Sequence, residues 1–389
     1  MSKRVFICTD NQFPEGNADS NYIRFLALAL QYAGWKVFVI GVGKNREEER
    51  KKDLYSYRNI NYYNINRYKD NWPFHLRPAL TCGKQHIEIL RNQKFSPNDK
   101  IIIYSSLYGL YYRLFDTLKV KKENVFMVNV EWMRPELYHL GRFNPSYILR
   151  EYVINKYSKK VNRVFTISTK LAERFKNNGC NTFILPMMAD YKSAIVSKRI
   201  GDKRKYIYPG AAFKKDKITA IVECLPKLDE KDLDRIEIHF TGLKEETLKK
   251  ELGENGWLVD RYKEHIIFHG WLEYAELLEL YSSIDYLLLF REKNLMTESN
   301  FPSKIPELMN YGIIPICSKV GDYTKLYLSD GKDCLMIDGA DLDTCAQGIK
   351  RSLCIDADKL LQMRTDAKEC VKNNFDFRKW GIKLEQILN

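Results

Sequence analysis

Residues 291–317 hold the side chains best suited to binding an anion. A polar loop follows an apolar strand there, and a helix is predicted to begin near Ser303. Serine is a residue type that caps helices, and Lys304 adds a full positive charge to the free amides of the first turn. Glu307 lies one turn further on, where its carboxylate could accept hydrogen bonds from sugar hydroxyls. The alternative is an ordinary helix whose charged side chains face solvent.

A second basic segment follows the predicted strand Tyr206–Tyr208. It contains Gly210 and, a few residues later, the adjacent lysines Lys214 and Lys215. Two neighbouring ammonium groups after a strand suit a pyrophosphate, because each can pair with one of its charged oxygens. The alternative is a basic turn exposed to solvent.

Together these segments resemble the donor site of GT-B glycosyltransferases, in particular the large retaining group called glycosyl transferases group 1, or family 4. In that group a Glu-x7-Glu pair is followed five residues later by a glycine that opens an apolar, proline-containing strand. Here Glu307 matches the second glutamate, Gly312 the glycine and 313–316 the strand. The first glutamate position is occupied by Ser299, and Glu298 stands one place before it.

The resemblance implies a role for each of these side chains in sugar transfer. In the family the second glutamate contacts the nucleotide ribose and the first contacts the donor hexose, which assigns Glu307 and Glu298 respectively. Lys215, Arg291 and Lys304 would stabilise the charge that develops on the leaving phosphate. The predicted catalytic residues are Lys215, Arg291 and Glu298. The predicted donor-binding residues are Gly210, Lys214, Lys215, Gly242, Ser303, Lys304 and Glu307.

No metal ion or other cofactor is expected. The resemblance implies that the leaving phosphate can accept the proton of the acceptor, so that no side chain need act as a strong base. Three D-x-D pairs could suggest a metal-dependent transferase of another architecture, but all lie in polar helical or loop-like stretches. We interpret them as solvated charges: Asp232/Asp234, Asp341/Asp343 and Asp356/Asp358.

Acceptor-side residues are predicted in two loops of the first half of the chain. Glu15, Gly16 and Asn17 lie between the first strand and the first helix, in a loop that approaches the donor phosphates and the acceptor in the family. The alternative for this loop is a helix-capping turn. Glu131 and Trp132 follow the predicted strand Val125–Val130, and the Trp132 ring could stack on a sugar.

The elements that must position these residues alternate between strand and helix. Two such series are separated by a polar, basic connection, which predicts an α/β protein of GT-B type with two doubly wound parallel sheets facing across a cleft. The predicted domains are residues 1–190 on the acceptor side, residues 191–375 for the nucleotide sugar, and a helix in 376–389 that packs back on the first domain. The predicted strands are Arg4–Cys8, Lys36–Val42, Ile101–Ser105, Val125–Val130, Val164–Ser168, Tyr206–Tyr208, Ile236–Thr241, His265–Phe268, Tyr286–Phe290 and Ile313–Cys317.

The composition and the net charge indicate the cellular compartment of the protein and the kinds of partner it binds. Nine scattered cysteines without C-x-x-C pairs argue against a disulfide framework, and no segment predicts a membrane span or a signal peptide. We therefore expect a cytoplasmic protein. The net charge of +13 lies wholly in residues 1–190, which hold 31 Lys and Arg against 17 Asp and Glu. This excess favours contact with an anionic membrane or a lipid-linked acceptor, because no nucleic-acid motif accompanies it; its alternative is simple solubility.

Two other functions remain open at this stage. A nucleotide-sugar epimerase of the same fold would act on the donor alone, and a noncatalytic GT-B subunit would bind another transferase. Dinucleotide-dependent oxidoreductases, P-loop kinases, serine hydrolases and zinc peptidases are disfavoured, because none of their motifs occurs in the chain.

Overall fold

The computed structural model describes residues 3–43, 54–65, 76–104, 108–197, 199–210 and 215–389 of the 389-residue chain. The chain divides into two compact units. Unit 1 comprises Met1–Met188 and Phe377–Asn389, and unit 2 comprises Ala189–Asp376. Each unit contains one sheet with helices packed on it.

Unit 1 contains an eight-stranded sheet in the order β3-β4-β2-β1-β5-β6-β7-β8. Its neighbouring strands run parallel except for the antiparallel pair of β3 and β4. The strands are β1 (Arg4–Gln12), β2 (Lys36–Val42), β3 (Tyr55–Tyr57), β4 (Ile60–Ile65), β5 (Lys100–Tyr104), β6 (Val125–Asn129), β7 (Arg163–Thr166) and β8 (Asn181–Ile184). The helices are α1 (Ala18–Tyr32), α2 (Leu76–Thr81), α3 (Lys84–Asn92), α4 (Tyr108–Tyr112), α5 (Pro145–Val161) and α6 (Thr169–Asn177).

Unit 2 contains a six-stranded parallel sheet in the order β11-β10-β9-β12-β13-β14. The strands are β9 (Arg204–Pro209), β10 (Ile236–Thr241), β11 (Ile266–Gly270), β12 (Tyr286–Leu289), β13 (Ile314–Ser318) and β14 (Leu335–Ile337). The helices are α7 (Ile218–Glu223), α8 (Glu230–Leu233), α9 (Glu245–Leu252), α10 (Trp257–Arg261), α11 (Tyr274–Tyr281), α12 (Leu295–Ser299), α13 (Lys304–Met309), α14 (Leu342–Leu353) and α15 (Ala357–Asn374).

Apart from the β3–β4 hairpin, the neighbouring strands are parallel, and parallel strands must be joined by crossover connections. The central strands are apolar on both faces, as in the fully buried run of Val5, Phe6 and Ile7 in β1 and that of Leu287, Leu288 and Leu289 in β12. Burying such strands stabilises a sheet by roughly 25 cal/mol for each Å² of apolar surface. The predicted class of two doubly wound α/β sheets is confirmed.

The last helix, α16 (Phe377–Leu388), returns to unit 1. It packs along α1, where the rings of Phe25 and Phe377 stack with centroids 6.3 Å apart. Gly381 allows this close approach, because a Cβ atom there would lie 2.6 Å from the Ala29 carbonyl oxygen. The exit from unit 2 is tied to its entry by a 2.9 Å hydrogen bond from the Ala189 amide to the Phe375 carbonyl.

Four short strands, namely β3, β4, β8 and β14, were not predicted. They have three to six residues and most lie near sheet edges. β3, β4 and β8 contain polar residues that interrupt any apolar run, and β14 is apolar but only three residues long. Within the described residues, no helix is both long and apolar enough to cross a bilayer.

Candidate functional site

Glycines lie at or just after the carboxyl ends of three strands of unit 2, namely β9, β10 and β11. The Gly210 amide donates to the Thr241 carbonyl at 2.8 Å, and the Gly242 amide donates to the Gly270 carbonyl at 2.6 Å. Gly242 has a φ of +68°, and a Cβ atom on it would lie 3.1 Å from the Gly210 Cα atom. The predicted donor residues Gly210 and Gly242 are therefore neighbours. Neither residue carries a Cβ atom, which favours the approach of a ligand to the backbone at these two positions.

A buried carboxylate, Asp216, joins the cationic residues beside this edge. Its Oδ1 atom accepts a 2.6 Å hydrogen bond from the Arg291 Nε atom. Its Oδ2 atom accepts hydrogen bonds from the Lys304 Nζ atom at 2.9 Å and from the Tyr208 hydroxyl at 2.7 Å. The Lys304 ammonium also lies 4.7 Å from the centroid of the Tyr208 ring. We call Tyr208, Asp216, Arg291 and Lys304 the Asp216 cluster.

The electrostatics of the Asp216 cluster follow from its burial. Burial disfavours the charged form of Asp216, but the guanidinium of Arg291 and the ammonium of Lys304 hold the pKa of that carboxyl well below its usual value. Burial and the neighbouring carboxylate raise the pKa of Tyr208, so its hydroxyl stays protonated and donates to Asp216. One carboxylate and two basic side chains give the cluster a formal net charge of +1.

Arg291 and Lys304 differ in their access to solvent. The Arg291 side chain is only 4% exposed, whereas that of Lys304 is 20% exposed. Arg291 also donates from Nη1 to the Asn300 side-chain oxygen at 3.2 Å, and its amide donates to the Ser318 hydroxyl at 2.9 Å. Lys304 is therefore more accessible to a ligand than Arg291, which is almost fully buried.

The structure describes Lys215 and Lys217 of the second basic segment. Lys214 lies outside the described residues. Lys215 is half-buried in the turn that leads to α7. The next lysine, Lys217, forms a 2.6 Å ion pair with Glu292, and both side chains are exposed.

The predicted cap of the donor-site helix is wrong. Ser303 has helical backbone angles, with φ −60° and ψ −27°, and its side chain makes no capping hydrogen bond to α13. An N-cap residue needs an extended backbone to turn its hydroxyl back onto the first turn, and a helical residue cannot do this. Glu307 lies in the first turn of α13 and is partly buried. The contact of Ser303 and Glu307 with a donor stays a prediction.

Glu298 lies at the end of α12 and is held in place by two hydrogen bonds. Its carboxylate accepts from the Gly321 amide at 3.0 Å and from the Lys325 ammonium at 2.7 Å. Burial opposes its ionisation, but these two bonds keep the pKa of Glu298 below its ordinary value. Ser299, at the first glutamate position of the resembled motif, is fully buried and donates to the Met296 carbonyl. A charged carboxylate is therefore available one residue before that position.

The predicted acceptor-side residues lie in unit 1. The Asn17 side chain caps α1 by accepting from the Ser20 amide at 3.1 Å, so the capping alternative describes this residue. Gly16 is packed closely, since a Cβ atom there would lie 2.4 Å from the Ser20 hydroxyl oxygen. Glu15 is the third residue of this loop and is exposed. Whether an acceptor touches the loop stays a prediction.

The second acceptor-side loop follows β6. Glu131 and Trp132 are both partly buried there. The guanidinium of Arg174 lies 4.8 Å from the centroid of the Trp132 ring, and Arg174 also forms a 2.5 Å ion pair with Glu151. One face of the indole is therefore covered by a cation, and stacking of Trp132 on a sugar stays a prediction.

Sequence reasoning missed Asp216, because the acid lies inside a lysine-rich run and reads as one of several solvent-exposed charges. It also missed the 2.7 Å hydrogen bond from the Tyr104 hydroxyl to Asp19, which joins the end of β5 to the first turn of α1. Its signal in the sequence is only a tyrosine that ends an apolar strand.

The D-x-D pairs are placed on helices and their caps. Asp341 and Asp356 cap α14 and α15 by accepting from the Thr344 and Lys359 amides, and Asp232 lies within α8. In the part of the chain that the structure describes, no three His, Cys, Asp or Glu side chains are arranged to hold a metal ion.

Part of unit 2 matches a known protein family. Residues 203–354, which lie wholly in unit 2, match the family model for glycosyl transferases group 1. Those residues are a glycosyl transferases group 1 domain. No curated protein matches the chain closely enough to be called a relative.

Solved structures match the whole chain at low sequence identity. Sucrose-phosphate synthase from Thermosynechococcus elongatus is 14% identical with a TM-score of 0.75, covering 99% of this chain and 98% of its own. WaaG, a glycosyltransferase involved in lipopolysaccharide biosynthesis, is 13% identical with a TM-score of 0.67, covering 99% of both chains. The HepE protein of Anabaena, in complex with UDP and glucose, is 12% identical with a TM-score of 0.71, covering 99% of both chains.

These matches confirm the predicted GT-B fold. The match of unit 2 to glycosyl transferases group 1 identifies the chain as a glycosyltransferase enzyme, as predicted, and supports its assignment as a hexosyltransferase. Membership of the retaining family 4 stays a prediction.

Proposed function

We propose that this glycosyltransferase moves a hexose from a nucleotide diphosphate sugar to a hydroxyl of a glycan or glycolipid acceptor, with retention of configuration. The observation that carries the proposal is the Asp216 cluster, which holds the Lys304 ammonium beside a carboxyl edge lined by glycines. Its net positive charge suits a diphosphate. The similar Anabaena protein, which holds UDP and glucose, supports a nucleotide sugar as the donor.

Departure of the nucleoside diphosphate is the step that the cluster would assist. The bond between the sugar and the β-phosphate breaks, and negative charge develops on that phosphate. Lys304 and Lys215 would meet this charge, and Arg291 would add its field from behind Lys304. Because Asp216 holds Arg291 and Lys304 in place before the donor binds, these two cations need little reorganisation when the charge appears.

Glu307 and Glu298 would orient the donor, the first by accepting hydrogen bonds from the ribose and the second from the hexose. The leaving phosphate would take the proton of the acceptor hydroxyl, and the reaction would use no metal ion. The acceptor would meet unit 1 near the loops of Glu15 to Asn17 and of Glu131 and Trp132. An epimerase or a noncatalytic subunit has no specific observation in its favour.

The acceptor and the place of action are also part of the proposal. A glycan carried on a lipid would bring the enzyme to the cytoplasmic face of the plasma membrane. The charge excess of residues 1–190 supports a peripheral contact with anionic lipid, and polysaccharide assembly is an activity consistent with WaaG among the similar structures.

Donor binding is tested by calorimetric titration of common nucleoside diphosphates and nucleotide sugars into the wild type and Glu307→Gln. The substitution keeps the side chain's shape and removes its charge, so we expect at least tenfold weaker binding with an unchanged melting temperature. Glu279→Gln, at an exposed glutamate of α11, is the matched control and should bind like the wild type. Equal affinity of Glu307→Gln and the wild type would remove Glu307 from the donor site.

A further inference from the structure

The outward face of α5 in unit 1 combines apolar side chains with lysines. Its inward side packs Val153, Ile154 and Tyr157 into the core. The residues of α5 that are exposed are Ile148, Tyr152, Asn155, Lys156, Lys159 and Lys160, and none of them is acidic. On this exposed face the apolar residues lie near the start of the helix and the lysines lie near its end.

Aromatic residues of α4 extend this face. The ring of Tyr108 lies 6.2 Å from the rings of both Tyr112 and Tyr152. The Lys156 ammonium donates to the Tyr152 hydroxyl at 2.8 Å and lies 5.7 Å from the centroid of the Tyr108 ring. The Asp116 carboxylate acts on Lys156 from the neighbouring turn, and the partly buried Glu151 of α5 is paired with Arg174. The tyrosines and the lysine therefore form one connected surface.

Two further apolar residues stand exposed where α5 begins. Leu140 is 53% exposed and Phe143 is 71% exposed. Asn144 caps the helix, Phe143 directly precedes this cap, and Ile148 is the fourth residue of the helix. Apolar side chains at these two positions often pack against each other at the start of a helix. Arg142 lies 5.4 Å from the centroid of the Phe143 ring. We call Tyr112, Leu140, Phe143, Ile148, Tyr152 and Lys156 the α5 face.

The position of the α5 face relates it to the acceptor side of unit 1. The helix follows β6, and in a β-α-β crossover the helix starts at the carboxyl end of the preceding strand. The loop from β6 to α5 carries Glu131 and Trp132 at one end and Phe143 at the other. A lipid-linked acceptor held at the α5 face would thus have its glycan beside the predicted acceptor residues.

The chemistry of the α5 face distinguishes among partners. Lysine is depleted in protein–protein interfaces, and aliphatic side chains add little to a nucleic-acid site. Lysines beside exposed Phe, Ile and Tyr are typical of a segment that lies in the headgroup region of an anionic bilayer, with tyrosines at the boundary between polar and apolar layers. The surrounding half of the chain has a net charge of +14.

We propose that the α5 face docks on an anionic lipid bilayer and thereby delivers a lipid-linked acceptor to the carboxyl edge of the first sheet. This inference rests on the peripheral membrane contact of the proposed function and assigns that contact to one surface of unit 1. Binding would combine shallow insertion of Phe143 and Ile148 with attraction of the lysines to lipid phosphates. Each lysine near such a surface contributes about a fivefold gain in partitioning, and salt screens this gain.

The test is co-sedimentation of the full chain with vesicles of phosphatidylcholine alone or with 30% phosphatidylglycerol. We expect the wild type to bind only the anionic vesicles, and more weakly at high salt. The double variant Phe143→Ser/Ile148→Ser should lose at least tenfold in partitioning. The triple variant Lys156→Ser/Lys159→Ser/Lys160→Ser should lose about 100-fold.

Matched controls change the same kinds of residue in unit 2. Trp257→Ser/Leu326→Ser removes two exposed apolar side chains, and Lys231→Ser/Lys350→Ser/Lys359→Ser removes three exposed lysines. Both controls should bind vesicles like the wild type. Binding of UDP and GDP by each variant, measured without vesicles, keeps a failure of the proposed donor site separate from a failure of docking.

Three results would overturn the docking proposal. The wild type could fail to bind anionic vesicles, the α5 variants could bind as well as the controls, or a soluble polyanion such as polyphosphate could bind the chain while vesicles do not. If the double variant does not fold, the headgroup and salt dependence of the wild type and the triple lysine variant decide the matter.

Discussion

Replacing Asp216 with asparagine should strengthen nucleoside diphosphate binding while it slows turnover. The substitution keeps an oxygen for the Tyr208 hydroxyl and removes the negative charge from between Arg291 and Lys304. The net charge of the cluster then rises from +1 to +2. A diphosphate should be attracted more strongly, but Lys304 loses the carboxylate that fixes its position.

The size of the binding effect follows from the geometry. The Lys304 Nζ atom lies 2.9 Å from the Asp216 Oδ2 atom, so a phosphate oxygen in contact with Lys304 would lie about 6 Å from that carboxylate. At an effective dielectric constant between about 20 and 40, a unit charge at this distance is worth about 1 to 3 kcal/mol. We therefore expect the Kd of the nucleoside diphosphate to fall about tenfold.

The cost of the same substitution is a less stable unit 2. Arg291 is almost fully buried, and removing the partner of a buried ion pair costs about 3 to 5 kcal/mol, of which the retained amide oxygen should recover part. The control is Asp343→Asn, which breaks an exposed pair with Lys227 and should cost at most about 1 kcal/mol. Calorimetric titration, thermal unfolding and steady-state kinetics give the Kd, the melting temperature and kcat.

A clear result would refute this reasoning. If Asp216→Asn binds the nucleoside diphosphate more weakly than the wild type while its melting temperature is unchanged, the carboxylate neither competes with the phosphate nor neutralises Arg291. Restoration of kcat by Asp216→Glu, with the original Kd, would support a positioning role. A double-mutant cycle with Lys304→Met measures the coupling directly.

Three further predictions concern pH, backbone and metal. His239 is buried against Glu237 and His269, and desolvation, despite the favourable charge of Glu237, lowers its pKa to about 4. The unfolded state binds a proton near pH 6.5, so stability should be constant above that pH and fall by up to about 3 kcal/mol toward pH 4. Chemical unfolding across this range should show a shallower fall in His239→Asn, and an identical slope would contradict the assignment. Gly242→Ala should lose about 1 to 3 kcal/mol of stability, because Gly242 has a positive φ and a Cβ atom there would lie 3.1 Å from Gly210. The variant should also bind the donor more weakly. Gly253→Ala is the control, since Gly253 has a positive φ without such a contact, and it should keep the donor affinity. Turnover should survive EDTA, and activity that is abolished by EDTA and restored by magnesium or manganese would show that the cations of the donor site are not sufficient.

Much of this architecture can be predicted from the order of residues along the chain. Apolar strands such as β2 and β12 appear as continuous runs between polar loops, because strands of a parallel sheet are buried on both faces. The location of Glu307 and Lys304 at the start of a helix after a strand is likewise visible in the sequence. The charge excess of residues 1–190 depends only on composition, so it requires no structure.

The Asp216 cluster could be recognised only from the tertiary structure. Asp216 is separated by 75 residues from Arg291 and by 88 from Lys304, and no local pattern records that the ends of β9 and β12 are adjacent in the sheet. The same holds for Ser303, whose type favours capping but whose backbone is helical. Local residue preference determines which elements form, whereas the pairing of strands determines which charged side chains meet, because parallel crossovers bring together residues that are distant in the chain.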